Sequence, residues 1–169
     1  MAWFRTSTWP TCSRSTTVWS INARDRVTFI PGNNPLSTDY VIIFDGGSLG
    51  NPGVGYGSYA LLTRNGHKAI QRLSLGEYVT NNEAEYDTLI AALRDLIGRI
   101  EASGRDPSAY TLEVRGDSAL VLKQVGGEWK ARDARMRARR DQVCALLNRF
   151  KSVRLTLQPR TQTLRVLSH

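Results

Sequence analysis

Runs of apolar residues, alternating stretches and helical repeats divide this chain into short strands and longer helices. Val41-Ile42-Ile43-Phe44 is a continuous, β-branched apolar run that reads as a buried strand, and it stops abruptly at Asp45, Gly46 and Gly47. Residues 55–64 and 67–75 form two more strand-like runs around Asn65-Gly66, a dipeptide suited to a tight hairpin turn, so the first three strands should form an antiparallel meander. From Thr80 the period changes. Leu89, Ala92, Leu93, Leu96, Ile97 and Ile100 recur at helical spacing, and Glu85 falls on the same stripe, which points a carboxylate inward near the helix start. Residues 110–115 alternate again and end at Gly116-Asp117-Ser118, ahead of a short helix over 119–125. A helix between strands makes this strand parallel to the first. A long helix from Ala131 turns Met136, Val143, Leu146, Leu147 and Phe150 inward, with Arg132, Arg135, Arg137, Arg139 and Arg140 mostly outward. Val153, Leu155 and Leu157 alternate as a last strand.

Residues 1–38 have a different character. Trp3, Trp9 and Trp19 stand among Ser, Thr, Arg and Pro without a helical period, and only residues 26–30 look strand-like, so this part reads as an extension ahead of one domain over 39–169. Its aromatic and basic residues suit either stacking on bases or packing against the domain. Cys12 and Cys144 are too few for a disulfide framework, and no apolar run reaches membrane-spanning length, which together lead us to expect a cytoplasmic protein.

Charge adds a division that the hydrophobic pattern does not show. Net charge is +8, yet residues 39–122 carry 7 Lys/Arg against 11 Asp/Glu, whereas residues 123–165 carry 12 against 3. The acidic part suits cations and the basic part a polyanion, although a basic helix can also be only a solvated face.

Asp45 and Asp117 end two parallel strands, and Glu85 opens a helix beside them. In open α/β sheets ligands bind beyond the carboxyl ends of such strands. Taken alone, Asp45-Gly46 is equally a simple turn, and acids in a first helical turn are explained by the helix dipole. Together, three hard carboxylates without convergent Cys or His suit Mg²⁺ or Mn²⁺, and two such ions are the machinery of phosphodiester cleavage.

The segments Phe44-Asp45-Gly46-Gly47-Ser48 with Gly50-Asn51-Pro52-Gly53, then Thr80-Asn81-Asn82-Glu83-Ala84-Glu85-Tyr86, then Gly116-Asp117-Ser118, resemble type I ribonuclease H in order, spacing and context over residues 40–158. The resemblance implies an α/β ribonuclease H-like fold, a five-stranded mixed sheet flanked by helices. It implies an endoribonuclease that hydrolyses the RNA strand of RNA/DNA hybrids with two Mg²⁺ or Mn²⁺ ions held by Asp45, Glu85 and Asp117, leaving 3′-hydroxyl and 5′-phosphate ends. Asn51, Asn81 and Asn82 would reach the minor groove of the hybrid, Thr80 would meet a phosphate, and Gly46 would let the backbone of the substrate approach. Trp129 and Lys130 fall where many members carry a basic handle; here the chain passes almost directly to Arg135 and Arg139, so these arginines are the expected phosphate contacts and the form without a handle matches better. Pro159-Arg160 resembles the segment before the final helix, with Arg160 near the substrate. The fourth family acid, counted from there, lands on Leu167, and His169 is the nearest substitute ligand. Ala119 stands where the family usually has a groove-contacting Gln. These two departures support the alternative of a catalytically impaired nucleic-acid-binding module, against which the intact carboxylates argue. A monomer without an obligate protein partner is expected.

Overall fold

A computed structural model describes residues 38–167. The expected extension and His169 therefore lie outside the described residues, apart from Thr38 at the boundary. The chain runs β1 (Tyr40–Gly50), β2 (Gly53–Thr63), β3 (Lys68–Val79), α1 (Asn81–Ala102), a 3₁₀ turn (Pro107–Ala109), β4 (Thr111–Gly116), α2 (Ala119–Val125), α3 (Ala134–Leu147), β5 (Ser152–Leu157) and α4 (Arg160–Leu167). The sheet order is β3-β2-β1-β4-β5; the meander is antiparallel and β4 parallel to β1, both as expected, and β5 runs parallel to β4. Gly66 completes the β2–β3 turn with φ +85°, a conformation that glycine adopts without a steric penalty. The meander strands extend beyond the apolar runs because backbone pairing continues outward: Asp45 to Gly50 still pair with Ser58 to Gly53.

Strand alternation separates two cores. Ile42, Phe44, Leu112 and Val114 face α1, α2 and α3 in the larger one, together with Tyr86, Leu89, Leu93 and Val143. Val41, Ile43 and Ala60 face the other way and are covered by Leu167 of α4. Full burial of each such aliphatic side chain contributes roughly 1.5–3 kcal/mol, so α1, with Leu89, Leu93, Leu96, Ile97 and Ile100 all buried, is the main buttress of the sheet. Asp45 has the parity of Val41 and Ile43, so it emerges on the α4 side of the sheet.

The α3 helix starts at Ala134, capped by Asp133, later than the pattern suggests. Its arginines are not uniformly outward. All three of Arg135, Arg139 and Arg140 pair with acids, but Arg135 stays exposed whereas Arg139 and Arg140 are only partly so. No helix among the described residues is long and apolar enough to cross a membrane.

Candidate active site at the carboxyl edge of the sheet

Three elements bring the predicted carboxylates to one edge. Asp45 lies within β1, 4% exposed; Asp117 immediately follows β4; Glu85 sits in the first turns of α1. The approach of α1 to β1 is set by Gly46. A Cβ there would stand 2.5 Å from the Ala84 carbonyl oxygen and 2.6 Å from the Glu85 amide nitrogen. That space is filled by the helix backbone, so in this structure Gly46 serves helix–strand contact and the expected substrate approach is not what requires it.

The start of α1 is fixed by a capping box. Thr80 Oγ1 accepts from the Glu83 amide, and the Glu83 carboxylate accepts from the Thr80 amide at 3.0 Å and from its hydroxyl at 2.8 Å. The same carboxylate, 8% exposed, lies 3.3 Å from Arg135 Nη1 and 3.5 Å from Arg139 Nη1 of α3. Burial alone would raise the Glu83 carboxyl, but the Thr80 hydrogen bonds and the two arginines hold it below its ordinary value. Arg139 also forks onto Asp87, at 2.8 and 3.1 Å. A second tie joins the β1–β2 turn to the helix: Asn81 Oδ1 accepts from the Ser48 amide at 2.8 Å, and the Asn81 amide donates to Asn51 Oδ1 at 3.2 Å. Asn51 and Asn81 are thereby joined, and both are exposed, as is the neighbouring Asn82.

Within the cluster the Ser118 hydroxyl donates to the Glu85 carboxylate, and Arg160 Nη1 donates to Asp45 Oδ1 at 3.4 Å and to Asp117 Oδ2 at 3.3 Å. Burial pushes the Glu85 carboxyl up to about 7, against the Ser118 hydrogen bond, with the charges of Asp117 and Asp45 adding to the rise and Arg160 opposing it. Like charges crowd this edge, and a guanidinium partly offsets them.

A model of the RNase H family matches residues 37–162. The chain belongs to the RNase H family. It is 37% identical over 117 residues to ribonuclease HI of Halobacterium salinarum, covering 69% of this chain and 55% of that protein. It is 35% identical over 128 residues to a bifunctional protein of Mycobacterium tuberculosis, covering 72% of this chain and 32% of the relative. The chain thus spans only part of the length of these curated relatives. The crystal structure of RNase H1 from Halobacterium salinarum superposes with a TM-score of 0.64 at 36% identity, covering 75% of this chain and 89% of that one. An RNase H1 solved in complex with an RNA/DNA hybrid gives the same TM-score at 27% identity, covering 75% of this chain and 89% of that one.

Among the described residues no group of three Asp, Glu, His or Cys side chains already stands in metal-binding geometry. The donor set nevertheless fits a hard divalent cation such as Mg²⁺ or Mn²⁺: the oxygens are all carboxylate, and a cationic group already lies between Asp45 and Asp117. Leu167, where the family count expects an acid, is fully buried against Val41, Ile43 and Ala60. Trp129 is exposed and stacked by Lys123 Nζ, 5.0 Å from its ring centre, with Lys130 exposed next to it. Both lie ahead of α3, so no separate handle intervenes. Sequence reasoning missed Ser118 as a partner of Glu85, Ser48 as the tie to Asn81, and Glu83 as the junction of α1 with α3. The only sequence sign of these was their place inside the three motifs.

Proposed function

We propose that this RNase H family chain is an endoribonuclease that cuts the RNA strand of RNA/DNA hybrids, acting as a monomer and leaving 3′-hydroxyl and 5′-phosphate ends. The observation that carries the proposal is the convergence of Asp45, Glu85 and Asp117 beside the exposed Asn51, Asn81 and Asn82. The solved RNase H1 relative with a bound hybrid supports the choice of substrate.

In this reading Asp45, Glu85 and Asp117 would hold two Mg²⁺ or Mn²⁺ ions, whose Lewis acidity would serve to activate water and to stabilise charge on the leaving oxygen. The asparagines reach the minor groove, where 2′-hydroxyls mark the RNA strand. Thr80 stands at the helix N-terminus, where its hydroxyl would contact a phosphate by turning from the Glu83 carboxylate, and the exposed Arg135 adds a cation on the same side. Arg139 contributes chiefly by holding α3 to α1. Ser118 keeps the Glu85 carboxylate oriented.

The test is incubation of the protein with end-labelled RNA/DNA hybrid, single-stranded RNA and DNA duplex, with Mg²⁺ or Mn²⁺ and with chelator. We expect metal-dependent RNA fragments ending in 3′-hydroxyl from the hybrid alone, and none from Asp45→Asn. Hybrid left intact with either metal, or an active Asp45→Asn protein, would refute the assignment.

A further inference from the structure

Arg160 lies between Asp45 and Asp117, two of the carboxylates read above as metal ligands. One nitrogen of its guanidinium serves Asp45 and Asp117 together, at 3.4 and 3.3 Å. These two carboxylates are 4% and 11% exposed, whereas the arginine is 58% exposed. Both contacts are longer than the usual 2.7–2.9 Å of a charge-assisted hydrogen bond, so the guanidinium is loosely held on fixed, buried acceptors. Arg160 is the first residue of α4, and that helix is anchored further along by Thr163 and Leu167, both fully buried. Its side chain can therefore swing into solvent without moving the helix.

Resting on the proposed nuclease activity, we propose that Arg160 is a built-in counter-cation of the carboxylate site, and that divalent ions must displace it to bind. Both cations need the same oxygens, and their like charges exclude joint occupancy at contact distance. The apparent affinity for metal then falls by the fraction of molecules in which the arginine has left the carboxylates. If the guanidinium occupies them about nine-tenths of the time, the apparent Kd is raised about tenfold. The metal-free protein is spared unbalanced charge around Asp45, and the displaced arginine stays attached at the rim of the site.

Mn²⁺ titrated into the metal-free protein without nucleic acid, with free ion read by electron paramagnetic resonance, tests this directly. Arg160→Gln should bind the first ion about tenfold more tightly than wild type, and Arg160→Lys should fall between them. Thermal melts check that both variants fold, as the exposure of Arg160 leads us to expect. In a parallel Mg²⁺ titration of wild type, the Arg160 Nε–H resonance should shift as the ion binds. Equal or weaker Mn²⁺ affinity in a folded Arg160→Gln protein, or a resonance that stays put at saturation, would overturn the proposal. Hybrid cleavage at saturating Mn²⁺ separates the two ideas. A cutting enzyme with no affinity change removes only the counter-cation, whereas an affinity change without cutting leaves it standing and removes the nuclease reading.

Discussion

Glu85 shows at the residue scale what the surrounding charges do. Its carboxyl is raised to about 7 by burial and by Asp117 and Asp45, well above the ordinary value it has in the unfolded chain. The folded state consequently holds this proton more tightly than the unfolded one. Between about pH 4.5 and 7 the native protein binds more protons, so stability is lost as pH rises through that window. Glu85→Gln keeps an acceptor for Ser118 without the charge. The metal-free variant should match wild type near pH 4 and be more stable at pH 8, by up to roughly 3 kcal/mol. Thermal melts in chelator from pH 4 to 8 would show this as a gap that opens with pH, and a constant gap would mean that the charge on Glu85 is not what destabilises the metal-free fold. The three acids themselves were legible, because each follows an apolar strand run or opens a helix, although β1 continues past Asp45 to Gly50. Their partners were not: Ser118 is 33 positions from Glu85, and Arg160 is 115 from Asp45. No periodicity reports contacts at such separations.

At the scale of elements, α3 shows where charge patterning misleads. The sequence distributes five arginines over its start and first turns and suggests a solvated, phosphate-facing surface, but the helix meets the acidic opening of α1. Arg139 forks onto Asp87 and leans on Glu83, while Arg135 keeps 63% of its side chain exposed. Two arginines four residues apart thus have different work. Arg139→Gln should lower stability by about 1 kcal/mol, since a bidentate and partly buried pair is worth more than a surface one, and should leave the salt dependence of hybrid binding nearly unchanged. Arg135→Gln should alter stability by less than about 0.5 kcal/mol and reduce the log–log salt slope of binding by about 0.9. Urea unfolding and salt titrations in the Asp45→Asn background would check both. An equal loss of slope in the two variants would mean that Arg139 abandons Asp87 for the phosphates. The capping box at Thr80 and Glu83 was readable as a helix start, whereas its second use, gripping α3, depended on a tertiary contact.

For the whole molecule, the order of strands and helices followed from hydrophobic periodicity, and so did the meander, because local pairing is written in local sequence. The docking of α4 was not readable in this way. Its few apolar residues leave open which face of the sheet they cover, and counting from Pro159-Arg160 places Leu167 where a fourth metal ligand would be expected. Instead, Leu167 closes the smaller core and is fully buried against Val41, Ile43 and Ala60. Replacing it by aspartate to complete the acidic set should therefore fail. Leu167→Ala should cost about 2–4 kcal/mol through lost burial and a residual cavity. Leu167→Asp should cost more, because it adds an unpaired carboxylate to an apolar environment. Neither change should tighten Mn²⁺ binding at the opposite end of α4, where Arg160 meets Asp45. Urea unfolding with a parallel Mn²⁺ titration distinguishes the possibilities. An aspartate variant as stable as wild type that binds the ion more tightly would require α4 to turn this position from the core to the carboxylates. That turn would leave Val41 and Ile43, strand neighbours of Asp45, uncovered at position 167, so a gain in ligands would loosen the strand that carries the central one.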